Sequence, residues 1–526
     1  MLSTLRCLRS PAPKRGVIQL RTAATQAQTQ KRAGDISDAF VSLSGQQFAP
    51  LSAEYADLKR RLIQGREDAV RESWERLLRD LREEIPLIVE LGSKIIPEIN
   101  FKDLDNPSEH FNSELKKRGV AAVRGVVSEE ETLQWKEHLK EYIRQNPQTK
   151  GKLQCLYLFP AHTNEFPAFP ADNPQVFELY WSRTQLLARG HPNMLKTQKF
   201  LMSYWHSKNR HAPISIQHPT SYADRLRMRL PGDSKFALGP HVDGGSVERW
   251  DEKGYGLGGV YNDVWNGEWE KLDPWEASCR LPVVSDLHQG VGACSMFRMY
   301  QGWLSLSTTG PFEGTLLVNP LLAKATAYYL LRPFFSPRNG VEAGAQTASE
   351  AITASQSFLH SDNWVMDKEP SSWIQGATPG HGQELSHLLH PHLNLQKSMT
   401  HVPKVRPGDY VAWHCDTIHS VDKTHAGISD SSVLYIPACP LTEANAWGLL
   451  RHRENFIAGT PSPDFGGGIG ESEHVGRVKV ESMESLVGVD GCRAAGLMEW
   501  DSDAPGLTPG ERAVLDRANK ILGFYD

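Results

Sequence analysis

The stretch "GPHVDGGSVERW", residues 239–250, carries the reading of this chain. His241 and Asp243 stand one residue apart and run into Gly244 and Gly245. On an extended chain, positions i and i+2 point to the same face, so an imidazole and a carboxylate can meet one ion from a single strand end. The pair alone is a common string, and the question it poses is whether a third ligand exists. Downstream, "RPGDYVAWHCDTIHSV" (406–421) offers a Gly408-Asp409 turn, a strand, and histidines at 414 and 419. Two histidines and one carboxylate, with three coordination positions left open, make the donor set of non-haem Fe(II) oxygenases.

The surroundings of the motif fit a sheet-built core. "DRLRMRLPGD" alternates Arg225, Arg227 and Arg229 with Leu226, Met228 and Leu230, the period-two pattern of a two-faced strand. "ACSMFRMYQGWLSLS", "GTLLVNP", "DYVAWHC" and "SSVLYIPAC" read as further short strands between Gly/Pro turns, the pattern of a sandwich, barrel or jelly roll. Earlier in the chain, apolar residues recur at helical spacing from Leu58 to Ile85, and Pro86 is expected to end that helix. A strand over Ala121–Val127 leads into a helix capped by Ser128 and Glu131, and helix signals continue through "NPQVFELYWSRTQLLARG". The tail closes on a helix over "PGERAVLDRANKILGF".

The expected architecture is mixed α+β, a double-stranded β-helix (jelly-roll, cupin-like) core with N-terminal and C-terminal helical decoration. Its parts are a helical region at 50–212, the core at 213–445 with a polar insertion at about 334–380, and an extension at 446–526. Residues 1–34 stand apart: seven basic residues from Arg6 to Arg32 precede the first acid, Asp35. That composition reads as a mitochondrial transit peptide, the alternative being a basic tail on a cytoplasmic protein.

Composition excludes several classes. A net charge of −5 and a pI near 6.5 give no electrostatic reason to expect nucleic acid. No apolar run approaches the roughly 18 residues of a membrane span. Seven scattered cysteines without a C-x-x-C pair argue against a disulfide framework or zinc ribbon. "GYGLGG" (254–259) matches G-x-G-x-x-G but lacks the strand-before, helix-after context of a dinucleotide site. "HPHL" (His390, His392) reads as a solvated loop, and "ESEH" (471–474) lies in a glycine-rich loop and lacks the H-E-x-x-H spacing of a helical zinc site.

Taken together, "LPGD…LGPHVDGG", "GPFEGTLLVNP" and a "GD" followed ten residues later by His419 and a serine resemble the phytanoyl-CoA hydroxylase branch of the Fe(II)/2-oxoglutarate dioxygenases. More closely, "YWSRTQLLARGHP", "DRLRMRLPGD", "FRMYQGWLSLS" and "WHCDTIHSV" resemble the GlcNAc-induced-gene-two-like family, over roughly residues 60–525. The resemblance implies catalytic metal ligands His241, Asp243 and His419, an Fe(II) cofactor, 2-oxoglutarate and dioxygen as cosubstrates, and a small-molecule substrate. His414 is the second choice, since it lies an odd number of positions from His419 and a regular strand turns it away. One departure stands out. The superfamily usually places, about a dozen residues beyond the distal histidine, an arginine that pairs with the far carboxylate of 2-oxoglutarate. Here that position is Ser431, and no Arg or Lys lies between Lys423 and Arg451. Arg298 is the first candidate substitute, then Arg227 and Arg229. A cupin-type metal isomerase or hydrolase, or a non-catalytic binding protein, are the rival readings. Nothing in the sequence sets the oligomeric state.

Overall fold

The computed structural model describes residues 39–525, save 45–46, 148–175, 235–236, 291–292, 339–357 and 466–467. The candidate targeting segment therefore lies outside the described residues. Eight strands organise the rest: β1 (Leu226–Arg229), β2 (His241–Val242), β3 (Tyr300–Ser305), β4 (Leu316–Val318), β5 (Thr400–His401), β6 (Tyr410–His414), β7 (His419–Val421) and β8 (Ser431–Tyr435). They divide between two sheets. A seven-stranded sheet contains β6-β3-β8-β1, and a five-stranded sheet contains β2-β7-β4-β5. All pairings among these eight are antiparallel. The chain thus crosses between sheets at almost every step and stays in the smaller one only from β4 to β5. The result is a mixed α/β chain with large antiparallel sheets.

Strand alternation sends one set of side chains into a shared cavity and the other into packed core. Gln301, Trp303 and Ser305 of β3, Ser431, Val433 and Tyr435 of β8, and Trp413 of β6 line the cavity from the larger sheet. His241, Leu316, His419 and Val421 line it from the smaller sheet. The alternate residues Tyr300, Leu304, Ala412 and Leu434 pack outward with Phe111, Trp135, Leu139 and Leu201 of the N-terminal helices. Burial of that apolar surface, at about 25 cal/mol per Å², is what holds the helices to the sheet.

The N-terminal region is mainly helical, as the periodicity predicts, but it also completes the larger sheet. Glu98–Asn100 and Val120–Arg124 extend it beyond β6, and Val176–Phe177 pairs with β1 at the opposite edge. Val176–Phe177 falls where helix signals were read; the helix there begins only at Arg183, capped by Ser182. Another expectation fails at Pro86. The helix spans Glu67–Leu91 and passes straight through it. A proline inside a helix costs roughly 3 kcal/mol, yet Ile85 and Ile88 sit buried on the same face as Trp74, Leu77 and Leu81. Ending the helix at Ile85 would forfeit that last buried turn.

The polar insertion after β4 is structured at both ends. Helix Leu322–Leu331 leads to an antiparallel pair, Phe335–Pro337 with Trp364–Met366, and the segment returns as Gln383–Glu384 against β2. His390 and His392, expected in a solvated loop, are buried instead; His392 packs edge-on against Trp74 and Trp364. Three helices, Glu443–Ala458, Met483–Ala494 and Pro509–Ile521, close the chain. The last has a full capping box between Thr508 and Glu511. The five described cysteines are all free thiols. No described helix is long and apolar enough to cross a membrane.

Candidate metal centre

His241 opens β2 and His419 opens β7, and the two stand directly opposite each other in the sheet register. Their rings lie 4.1 Å apart between centroids. Asp243 follows one residue past the end of β2. One ligand atom from each of the three lies within 4.8 Å of the others. The sequence therefore names three residues, distant by up to 178 positions (419 minus 241), that the fold gathers at one point.

The hydrogen bonds orient the donors. Nδ1 of His241 faces the Gly239 carbonyl at 2.7 Å, and Nδ1 of His419 faces the Thr417 carbonyl at 3.1 Å. A carbonyl only accepts, so each Nδ1 carries the proton and each Nε2 presents a lone pair. Those Nε2 atoms stand 3.7 and 3.8 Å from the two Asp243 carboxylate oxygens. These gaps are too long for hydrogen bonds. A divalent ion with bonds of about 2 Å to nitrogen and oxygen spans donor separations of this size.

Electrostatics keep the set in its ligating form. Burial, and then the neighbouring His241, push His419 down to about 3, so its ring is neutral. Burial opposes the charge on Asp243, but His241, His419, Arg298 and Arg249 outweigh it and hold the carboxyl below its ordinary range. The site offers one carboxylate and two imidazole Nε2 atoms, which suits a divalent cation and leaves room for an anionic chelator.

The double glycine has a structural cause. Gly244 and Gly245 adopt φ of 87° and 82°, where a side chain is strained. A Cβ on Gly245 would stand 2.4 Å from the Ser285 carbonyl. Arg249 binds the carbonyls of Asp243 and Gly245, and the Tyr255 hydroxyl donates to the Gly244 carbonyl at 2.9 Å. This bracing of the loop behind Asp243 escaped sequence reading, since Arg249 and Tyr255 match no motif. So did Phe40, whose ring meets His241 edge-on at 4.9 Å.

His414 belongs elsewhere. It faces away from the cavity, its ring stacked on Trp205 at 4.6 Å and its Nε2 at 2.9 Å from the Pro274 carbonyl. With Cys415 and Asp416 it forms a second cluster of potential ligands, but Arg280 already pairs with Asp416 there. A guanidinium in that position competes with any cation.

The three arginines separate. Arg229 is fully buried and spent: its Nε donates to Asp233 at 2.6 Å and its other nitrogens to the carbonyls of Asp422, Asp233 and Lys423. It does not line the cavity, so it drops out as an anchor. Arg227 and Arg298 both line it. Arg298 lies just before β3, with Nη2 3.8 Å from Asp243 Oδ2. Arg227 lies on β1, opposite Val433, and is 6% exposed. Ser431, which occupies the place of the missing arginine, pairs in register with Arg229 and lines the cavity beside this strand. The cavity measures about 230 Å³, below the roughly 300–1,000 Å³ of drug-sized sites, so its occupants are small.

A sequence model of the Gig2-like family matches residues 49–497. The chain is 29% identical over 421 residues to the uncharacterized protein YbiU of Escherichia coli (strain K12), covering 79% of this chain and 88% of that protein. Among solved structures, GlcNAc Inducible Gene 2 from Candida albicans superimposes with a TM-score of 0.73 at 28% identity, over 91% of this chain and 96% of that one. A hypothetical protein, JW0805 from Escherichia coli, gives a TM-score of 0.66 at 27% identity, over 85% and 98% of the two chains.

Proposed function

The chain belongs to the Gig2-like family, and from that premise we propose that it is an Fe(II)- and 2-oxoglutarate-dependent oxygenase that oxidises a small organic molecule. The observation that carries the reading is the convergence of His241, Asp243 and His419, with both Nε2 lone pairs aimed at one point inside a cavity. The strand order supports it. Numbered along the chain, the two sheets run 6-3-8-1 and 2-7-4-5, the winding of a double-stranded β-helix, in which the metal ligands of the phytanoyl-CoA hydroxylase branch sit. The basic, acid-free segment 1–34 supports mitochondrial import of the precursor.

When bound, iron with 2-oxoglutarate supplies the oxidising power drawn from dioxygen. The chain's own residues do the rest. His241, Asp243 and His419 would hold the ion and would leave coordination positions for the chelator and oxygen. The far carboxylate of 2-oxoglutarate lies about 5 Å along the carbon chain from its chelating end, and burying it requires a cation. Arg227 fits that requirement better than Arg298, the choice favoured by sequence alone. Arg298 stands against the ligand Asp243, too close for a carboxylate at the far end of the chain. Arg227 lines the same cavity from β1. A guanidinium from β1 thus replaces the one usually carried by β8, the neighbouring strand.

The experiment supplies Fe(II), 2-oxoglutarate and air to the purified full chain without added substrate. Slow succinate release in step with oxygen consumption is expected, and lost in Asp243→Ala. Protein that binds iron stoichiometrically yet releases no succinate above free Fe(II) would overturn the reading.

A further inference from the structure

A guanidinium has five donors and no acceptor, so setting one into a protein interior obliges the surroundings to supply oxygens. This fold does so repeatedly. Arg118 receives Glu84 and Glu114, Arg229 receives Asp233, Arg280 receives Asp416, and Arg332 receives the carbonyls of Leu389 and Phe335. Arg298 is treated differently. Its side chain is 16% exposed, and its ion-pair contact is Asp243 Oδ2 at the long distance of 3.8 Å. Among the described residues its guanidinium has no hydrogen-bond acceptor. It faces the cavity, with its central carbon 5.8 Å from the Tyr222 ring centroid.

Its donors open onto the cavity rather than onto protein oxygens, so an anion entering there is a partner they can take. Asp243 is committed to the metal, and the far carboxylate of 2-oxoglutarate is assigned to Arg227, so a second anion is left to be found. Tyr222 stands beside Arg298, and the cavity they share is also lined by Tyr435, Phe465 and Cys294 and carries the acids Glu178, Asp224 and Asp464. Aromatic walls take an apolar body. Arg225 also lines the cavity but pairs with Asp224 at 3.4 Å and lies over the Phe465 ring; with that charge spent, the remaining acids disfavour a doubly charged phosphate and tolerate a single negative charge that Arg298 neutralises. We propose that the substrate is a small organic monocarboxylate, held by its carboxylate on the Arg298 guanidinium beside the metal triad, with its carbon body on the Tyr222 side of the cavity. The inference rests on the oxygenase reading for the placing of metal and cosubstrate. Binding at this point brings the carbons nearest the carboxylate close to the open metal positions, so oxidation falls near the acid end of the molecule.

The test uses benzoate and benzamide, which share shape and differ in charge, titrated calorimetrically into the full chain holding Ni(II) and saturating 2-oxoglutarate. Benzoate should bind at least tenfold more tightly than benzamide. Arg298→Gln should erase the difference while Ni(II) and 2-oxoglutarate bind within threefold of wild type, and Arg298→Lys should restore part of it. Equal binding of the two probes by wild type, or benzoate binding untouched by Arg298→Gln, overturns the proposal. So does a variant that keeps benzoate but loses Ni(II), which would make Arg298 a support for Asp243 only. Failure of wild type to bind Ni(II) would count against the oxygenase reading instead, and the two probes, compared on the same metal-free protein, would still decide the role of Arg298.

Discussion

Replacing Arg227 with glutamine probes the most unusual part of the proposed site, the guanidinium moved from β8 to β1. In wild type the 2-oxoglutarate carboxylate would be desolvated against a side chain that is itself 6% exposed. Removing one partner of such a pair costs about 2–5 kcal/mol. The cavity softens the loss, because the hydroxyls of Thr309, Thr315 and Ser431 line it and each offers a hydrogen bond with a net worth of about 0.5–1.5 kcal/mol. The lower half of the range, about 2–3 kcal/mol, is therefore expected, which is a weakening of about 30- to 150-fold. Calorimetric titration of 2-oxoglutarate into the Ni(II)-loaded chain measures it, with Ni(II) affinity as the internal control. Arg227→Lys should recover only part, since a point charge does not reproduce a bidentate pair. An Arg227→Gln variant that binds 2-oxoglutarate within threefold of wild type would refute the reasoning, as would one that loses Ni(II) in parallel.

His419→Ala should abolish Ni(II) binding in calorimetry, whereas His414→Ala should retain it and lose stability instead, because His414 is buried against Trp205 and Trp275. Asp233→Ala strands the Arg229 charge, a pair 0% and 1% exposed, and should cost about 3–5 kcal/mol in denaturant unfolding; a loss below 1 kcal/mol would mean that water reaches the pair. Burial raises the Glu84 carboxyl, but hydrogen bonds from Lys117 and Arg118 outweigh it and hold it at about 2. A carboxylate with a depressed folded pKa contributes stability above its unfolded pKa and loses it as pH falls towards the folded one. Glu84→Gln should accordingly flatten the fall in stability between about pH 4.5 and 2 and be no more stable than wild type at neutral pH. Deleting residues 1–34 should leave the melting temperature unchanged. Deletion through Gln46 removes Phe40 from His241 and the Ser42 amide from Glu384, and should lower stability by about 1.5–3 kcal/mol, the worth of one buried aromatic side chain.

The candidate cluster was legible because its signals are local: an H-x-D pair before two glycines, and a histidine ten residues after a Gly-Asp turn. The family resemblance, with strand parity beside it, favours His419 over His414; in the structure the two lie on different strands, β6 and β7, with His414 stacked on Trp205 and His419 lining the cavity. What stayed hidden depends on long-range packing. Arg227 and Arg229 share one face of β1, with Arg225 just before it, and sequence cannot tell that Asp233 claims Arg229 while the cavity receives Arg225 and Arg227. Arg298 was read as part of a strand, but it precedes β3, where the chain turns it towards Asp243. The burial of His390 and His392 likewise depends on Trp74, more than 300 positions earlier. Local rules failed at Pro86 for the same reason, since tertiary burial outweighed a missing hydrogen bond.

The central claim is that this chain holds Fe(II) on His241, Asp243 and His419 with positions free for 2-oxoglutarate. Anaerobic addition of 2-oxoglutarate to the Fe(II)-loaded full chain tests it most directly. A visible metal-to-ligand charge-transfer band should develop and saturate at one equivalent, be absent in Asp243→Ala and His419→Ala, and persist in His414→Ala. Wild-type protein that holds stoichiometric iron and shows no band, or a band lost in His414→Ala and kept in His419→Ala, would contradict the account.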